Sequence, residues 1–126
     1  MSYEAGYFDG IATLRAMNGD YTPAQVTELL RRGEIQLIDV RQAHEAQAGR
    51  IAGGRLIELS ELSAQAHTID HEKPIVFYCR SGARSAMAAQ GFHSAGFEAH
   101  NMTGGLLDWH AAGLPLQPAD GYVADP

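Results

Sequence analysis

The sequence lacks most of the features that would place it in a specialised class of protein. Its one cysteine, Cys79, cannot form an intrachain disulfide, so a fold held together by disulfides is excluded. A run of about 18 apolar residues is absent, which excludes a membrane-spanning helix. The N-terminus has neither the basic start nor the apolar stretch of a secretory signal peptide. These absences predict a protein of the reducing cytoplasm.

Positive charge is also scarce. Lysine and arginine together number 9 against 15 aspartates and glutamates, for a net charge of −6. A surface that binds phosphate backbones or anionic lipids needs a basic excess, so neither nucleic acid nor a membrane is expected as a partner. With 126 residues, of which 45% are apolar, the chain is long enough for one domain with its own core.

The chain does contain an alternation of short apolar runs and helical patterns. Thr22, Pro23 and Gln25 supply an N-cap, a proline at the first helical position and a capping-box partner, which predicts a helix that ends at Gly33. Further helices are predicted over 41–49, 60–66 with Ser60 as its cap, 85–95 and 106–112, and strands over 35–40, 55–58, 75–78 and 97–102. Such alternation predicts an α/β fold with a mostly parallel sheet and helices on both faces.

The lone cysteine lies at the carboxyl end of a predicted strand, where open α/β sheets bind their ligands. Cys79 closes the most apolar strand, and a polar loop leads from it into a helical pattern; the loop consists of Arg80, Ser81, Gly82, Ala83, Arg84 and Ser85. Such a loop directs backbone N–H groups and the positive end of a helix dipole toward one point, which stabilises a thiolate. Two nearby arginines favour the thiolate further. A buried core cysteine is the alternative, and the polarity of the loop argues against it.

Three blocks of sequence resemble the rhodanese-like sulfurtransferases. They are residues 37–41 with Glu45 and the turn 49–53, the loop 79–85, and residues 104–109 with 112–115. The turn 49–53 departs from the family's usual Gly-His-Ile-Pro-Gly by lacking the histidine and the proline. The resemblance implies a rhodanese-like fold with a central, mostly parallel five-stranded sheet, and a cysteine that carries a transferable sulfur atom. We expect this domain over 21–118, with an N-terminal extension over 1–20 and a C-terminal tail over 119–126.

The predicted reaction is sulfur transfer through Cys79. Its thiolate attacks the outer sulfur of a small anionic donor such as thiosulfate, sulfite leaves, and the resulting persulfide passes its sulfur to cyanide, a small thiol or a protein thiol. We expect the N–H groups of residues 80–85 and the hydroxyls of Ser81 and Ser85 to surround the persulfide. Arg84 and Arg80 are expected to attract the donor and to bind the departing group.

No cofactor and no metal ion are predicted for this reaction. His67 and His71 have the i, i+4 spacing of a helical metal-binding pair, but no cysteine or carboxylate ligands accompany them in a matching motif. Asp39 and Arg41 are expected to form a buried ion pair that ties the loops together, and Trp109 is expected to pack in the core.

Two other functions remain compatible with the loop. Cysteine phosphatases use a similar loop with five residues between cysteine and arginine, whereas four residues separate Cys79 from Arg84. The shorter loop favours a sulfur atom over a phosphoryl group. The second alternative is a persulfide relay or docking module for a partner protein, which the sequence does not separate from a free-standing thiosulfate sulfurtransferase.

Overall fold

Strands and helices alternate along residues 19–126, the part of the chain that the computed structural model describes. Residues 1–18, and with them most of the predicted N-terminal extension, lie outside the described residues. The helices are α1 (Pro23–Arg31), α2 (Ala43–Ala48), α3 (Leu62–Gln65), α4 (Ala83–Ser94) and α5 (Gly105–Ala111), and the strands are β1 (Gln36–Asp39), β2 (Gly54–Leu56), β3 (Ile75–Tyr78) and β4 (Ala99–Asn101). Two 3-10 turns, Leu59–Glu61 and Ala66–Thr68, flank α3.

The four strands form one sheet in the order β2-β1-β3-β4, and every pairing is parallel. The family resemblance implied a five-stranded sheet, and this prediction is wrong for residues 19–126, which form four strands. On the outer side of β4, where a fifth strand would pair, the described residues form a single β-bridge between Tyr21 and Met102. The chain cannot continue as a strand there because helix α1 begins two residues later, at Pro23.

Helix α1 begins as its sequence predicts. The Gln25 N–H donates to Oγ1 of Thr22 over 3.2 Å, and the Thr22 N–H donates to Oε1 of Gln25 over 2.9 Å. This reciprocal pair satisfies two N–H groups that the helix itself leaves free.

The predicted helix over 60–66 does not begin where its sequence predicts. Ser60 lies inside the 3-10 turn Leu59–Glu61, α3 begins only at Leu62, and no side chain caps it, so the prediction of Ser60 as the cap is wrong.

Helices cover both faces of the sheet, as the alternation predicted. Side chains alternate along a strand, so each strand supplies both faces with apolar groups. On one face Ile38 and Phe77 pack against residues of α3 and α4, and Cys79 belongs to this cluster. On the other face Leu37 and Val76 pack against residues of α1 and α5. None of the five helices between residues 19 and 126 has the length and apolar character that a bilayer crossing requires.

The carboxyl ends of β1 and β3 lie side by side, since Asp39 pairs with Tyr78 in the sheet register. The buried ion pair predicted after β1 is confirmed: Nε and Nη2 of Arg41 donate to the two carboxylate oxygens of Asp39 over 2.9 and 2.7 Å. Arg41 also donates to the carbonyl oxygens of Glu45 and Gly49. Arg41 thus joins the end of β1 to helix α2.

Trp109 is buried, which confirms its predicted core position.

Helix α4 contains a glycine that its packing does not require. A Cβ atom at Gly91 would have no other atom within 4 Å, and the residue lies in the helix interior. Because glycine is a poor helix former, we expect Gly91→Ala to raise the free energy of unfolding by about 0.5 to 1 kcal/mol in urea denaturation. Gly96→Ala is the control, since Gly96 has φ +98° and alanine is strained there. A loss of stability in Gly91→Ala would contradict the expectation.

Candidate active site

The sulfur atom of Cys79 accepts three hydrogen bonds from the loop that follows it. The N–H groups of Gly82 and Ser85 lie 3.1 and 3.4 Å from the sulfur, and the Ser85 hydroxyl lies 3.2 Å from it. Helix α4 begins at Ala83, so these donors belong to its N-terminal end. The arrangement gathers partial positive charge around one buried thiol.

These contacts determine the acidity of Cys79. Burial raises the pKa of the thiol, but the hydrogen bonds from the Ser85 hydroxyl and from the N–H groups of Ser85 and Gly82, together with the nearby Arg84 N–H, lower it more, so the net pKa falls below its ordinary value of 9.0. The thiolate, which is the nucleophilic form, is therefore present at a lower pH than in an unperturbed cysteine.

Alkylation of Cys79 should report this acidity. We expect the rate of reaction with iodoacetamide to rise to half its maximum below pH 9.0, the ordinary value, because the rate follows the thiolate fraction. Ser85→Ala should move the midpoint to higher pH, since it removes the largest of the contributions that lower the pKa. Ser81→Ala removes an exposed hydroxyl and should move the midpoint less. An unchanged midpoint in Ser85→Ala would contradict the assignment of the hydroxyl.

The shape of the loop depends on Gly82 and Asn101. Gly82 has φ +105°, a left-handed conformation that residues with a Cβ rarely adopt. Its carbonyl oxygen accepts a hydrogen bond of 3.2 Å from the side-chain amide of Asn101, at the end of β4. Gly82 is predicted from the sequence as a loop residue, whereas Asn101 carries no signal there beyond its place at the end of a strand.

Helix α5 supports the other side of the loop. The Leu106 N–H donates to the carbonyl oxygen of Cys79 over 2.9 Å, and the Leu107 N–H donates to that of Arg80 over 3.0 Å. This close approach requires Gly105, because a Cβ atom there would lie 2.5 Å from the Arg80 oxygen and 2.6 Å from the Cys79 oxygen. Residues 104–105 belong in the sequence to a block of the family resemblance, which does not reveal that Gly105 holds the loop.

Arg84 is held by the carboxylate of Glu45, a residue that was not among the predicted site residues. Its two terminal nitrogens donate to the two carboxylate oxygens of Glu45 over 2.8 and 2.9 Å, and the Glu45 side chain is 0% exposed. Burial raises the pKa of Glu45, but the bonds from Arg84 and the Gln42 N–H lower it more, so the net pKa is below its ordinary value. The same bonds raise the pKa of Arg84. Both groups therefore stay charged, and each neutralises the other.

Arg80 is turned toward residues of the predicted C-terminal tail. Its Nε donates to the carbonyl oxygen of Ala124 over 3.1 Å, and its Nη2 lies 3.4 Å from a carboxylate oxygen of Asp125. Residues 119–126 also contact α2, since the Tyr122 N–H donates to the carbonyl oxygen of Ala48. The tail therefore lies against the domain beside the loop. Ser81 and Ala83, the remaining loop residues, are exposed.

A cavity of about 370 Å³ lies in front of Arg84. It is lined by Val40, Gln42, Glu58, Leu59, Ser60 and Arg84. Val40 and Cys79 belong to the same buried cluster, and Leu59 packs against that cluster. Cys79 itself does not line the cavity, which adjoins the active-site loop at Arg84; we call this cavity the mouth of the site.

The described residues do not assemble a metal site. Between residues 19 and 126 there is no group of three or more His, Cys, Asp or Glu side chains that could hold a metal ion. The ring of His71 instead stacks on Phe97, with 3.7 Å between the ring centroids, and His67 is exposed.

The chain is similar in sequence to known proteins. The family model described as Rhodanese-like domain matches residues 22–112. The chain is 41% identical over 95 residues to the HTH-type transcriptional regulator Rv0324 of Mycobacterium tuberculosis. The matched region covers 71% of this chain but only 42% of that regulator. It is 31% identical over 90 residues to the thiosulfate sulfurtransferase GlpE of Pseudoalteromonas translucida, covering 71% of this chain and 86% of that protein.

A solved structure agrees with these matches. The human single-domain sulfurtransferase TSTD1 superposes with a TM-score of 0.67 at 31% sequence identity, covering 73% of this chain and 95% of that one. The chain thus spans nearly all of one small relative and less than half of the regulator.

Proposed function

Because the chain belongs to the rhodanese-like domain family, we propose that it is a sulfurtransferase in which Cys79 carries the transferred sulfur as a persulfide. The similarity to proteins named as sulfurtransferases supports this activity. The observation that carries the proposal is the set of three hydrogen bonds to the Cys79 sulfur, because they stabilise the thiolate that must attack.

The proposed first half-reaction loads the cysteine. The Cys79 thiolate attacks the outer sulfur of thiosulfate or a related donor, the new S–S bond forms, and the sulfur–sulfur bond of the donor breaks with its electron pair going to the departing sulfite. Cys79 is left as an anionic persulfide. The N–H groups of Gly82 and Ser85 point toward this sulfur in the resting protein, and we expect them to share the negative charge once the outer sulfur is added.

The second half-reaction returns the thiolate. A thiophilic acceptor, such as cyanide or a small or protein thiol, attacks the outer sulfur, and the electron pair of the S–S bond returns to Cys79. Loop residues other than Gly82 and Ser85, which supply the three hydrogen bonds to the sulfur, have supporting roles in this proposal. Arg84 reaches the mouth while paired with Glu45, and Arg80, Ser81 and Ala83 form the outer side of the loop.

Intact-mass measurement tests the proposal directly. After incubation with thiosulfate the protein should gain about 32 Da, one sulfur atom, and cyanide should remove it with release of thiocyanate. Cys79→Ser should show neither the gain nor the release, because no other cysteine is present in the chain. A gain of the same mass in Cys79→Ser would place the sulfur elsewhere and overturn the proposal.

A further inference from the structure

An apolar groove runs along helix α4 on the face of the sheet that contains Cys79. Its volume is about 410 Å³, within the range of small-molecule sites. The 3-10 turn Leu59–Glu61 and α3 form one wall, and α4 forms the other. Its lining is mostly apolar and includes Leu59, Leu62, Met87, Gly91 and Phe92. Met87 is 62% exposed, so the rim of the groove has a solvent-exposed apolar side chain.

The groove and the mouth of the site share part of their walls. Leu59 lines both cavities. Its N–H donates to the carbonyl oxygen of Val40 over 3.1 Å, which fixes it beside the end of β1. A molecule whose reacting end enters the mouth therefore contacts Leu59, the side chain that also borders the apolar groove.

The charges around the loop do not favour a compact dianion. Arg84 is paired with Glu45, Arg41 with Asp39 and Arg80 with Asp125. Glu58 adds a further carboxylate at the mouth. Each of these cations thus faces a carboxylate, and thiosulfate, with two negative charges and no apolar part, meets the N–H donors of the loop but no excess charge from these arginines.

We propose that the sulfur donor of this site is an organic sulfane-sulfur compound whose apolar group occupies the groove, in preference to inorganic thiosulfate. This inference rests on the proposed sulfurtransferase function. For an alkanethiosulfonate donor, R–SO₂–S⁻, the Cys79 thiolate attacks the outer sulfur, the Cys79 S–S bond forms, and the S–S bond of the donor breaks with its electron pair going to the sulfinate R–SO₂⁻. The reacting atoms are the same as with thiosulfate, so the groove affects only the organic group.

Sodium alkanethiosulfonates of increasing chain length provide the test. Methane-, ethane-, propane- and butanethiosulfonate have the same charge and leaving group, so differences among them report the environment of the alkyl chain. We expect kcat/KM for loading Cys79 to rise roughly two- to fourfold per methylene, because each methylene leaves water for the groove. A ratio of butane to methane compounds below about twofold would overturn the inference, since the groove would then contribute little burial.

A pair of variants on α4 locates the effect. Gly91→Glu places a carboxylate on the groove wall, and it should lower the butane-to-methane ratio by at least about threefold, since burying the chain beside a charge is unfavourable. Glutamate is the better helix former, and a Cβ at this position meets no atom within 4 Å, so the fold is retained. Gln90→Glu is the matched control, because it adds the same charge at the neighbouring exposed position outside the groove lining.

The outcomes distinguish a failure of the groove proposal from a failure of the proposed sulfurtransferase function. If the donors load Cys79 but chain length has no effect, or if Gly91→Glu keeps the ratio of Gln90→Glu, the groove does not bind the donor and the sulfurtransferase function stands. If neither thiosulfate nor any thiosulfonate adds sulfur to Cys79, both proposals fail together.

Discussion

Asp39→Asn should lower the free energy of unfolding by about 3 to 5 kcal/mol, because it leaves the Arg41 guanidinium buried without its counter-charge. The Arg41 side chain is 0% exposed and the Asp39 side chain 3% exposed, so water cannot replace the lost partner. Three donors of Arg41, its backbone N–H, Nε and Nη2, bond to the Asp39 carboxylate. Urea denaturation followed by circular dichroism measures the loss.

An exposed ion pair serves as the control for this result. Glu28 bonds to Arg31 and Arg32 on the surface of α1, and Glu28→Gln should therefore have a much smaller effect. The double variant Asp39→Leu with Arg41→Met removes both charges and should recover much of the loss, since a buried pair contributes less than its unpaired half costs. Equal stabilities for Asp39→Asn and Glu28→Gln would show that the buried pair is not the element that holds β1 to α2.

The second large effect is expected at Gly105. In Gly105→Ala the new Cβ would lie 2.5 and 2.6 Å from two backbone oxygens, those of Arg80 and Cys79, so the loop or helix α5 must move. Since a displacement of about 1 Å at a reacting group can cost about a hundredfold in rate, we expect sulfur transfer to fall by that order. Stability should also fall by about 2 to 4 kcal/mol, from the left-handed φ and the overpacking together. Persulfide loading followed by mass and urea denaturation measure the two effects.

Gly113→Ala separates the contact from the backbone strain. Gly113 has φ +76°, but a Cβ there would have no atom within 4 Å. This variant should lose about 1 to 2 kcal/mol of stability from the left-handed conformation alone and keep its sulfur transfer. If both glycine variants transferred sulfur equally well, the contact between α5 and the carbonyls of the loop would not support the reactive geometry.

The prediction at Gly105 concerns the support of the loop and leaves the reactive atoms of the loop unchanged. The Cys79 sulfur is approached by donors of its own loop, while the loop is held from outside by α5, by Asn101 and by the Glu45 carboxylate. A reactive thiolate needs its donors fixed in place, because each must point at the sulfur before the charge forms. The rigidity of the site therefore comes from elements distant in sequence.

Much of the fold could be predicted from local patterns. The Thr22 and Gln25 capping box, strand β3 over its observed bounds and the helix after the loop all follow from residues within a few positions of one another. Ser60 shows the limit of such patterns. A serine before a helical pattern predicts a cap, yet the bond from the Leu59 N–H to the Val40 carbonyl ties the turn to the end of β1, and α3 starts later.

The sequence by itself determined the fold class, the parallel sheet and the position of Cys79 at the end of a buried strand before a helix. Hydrophobic periodicity and turn residues act over short distances along the chain, so they can be read without knowing which elements meet. Only the tertiary structure decided that Arg84 pairs with Glu45, 39 residues away, that α5 holds the carbonyls of the loop, and that the sheet stops at four strands between residues 19 and 126. The physical reason is that a charge or an N–H group can bond to any complementary group within reach, and the packing of the whole domain selects which one lies there.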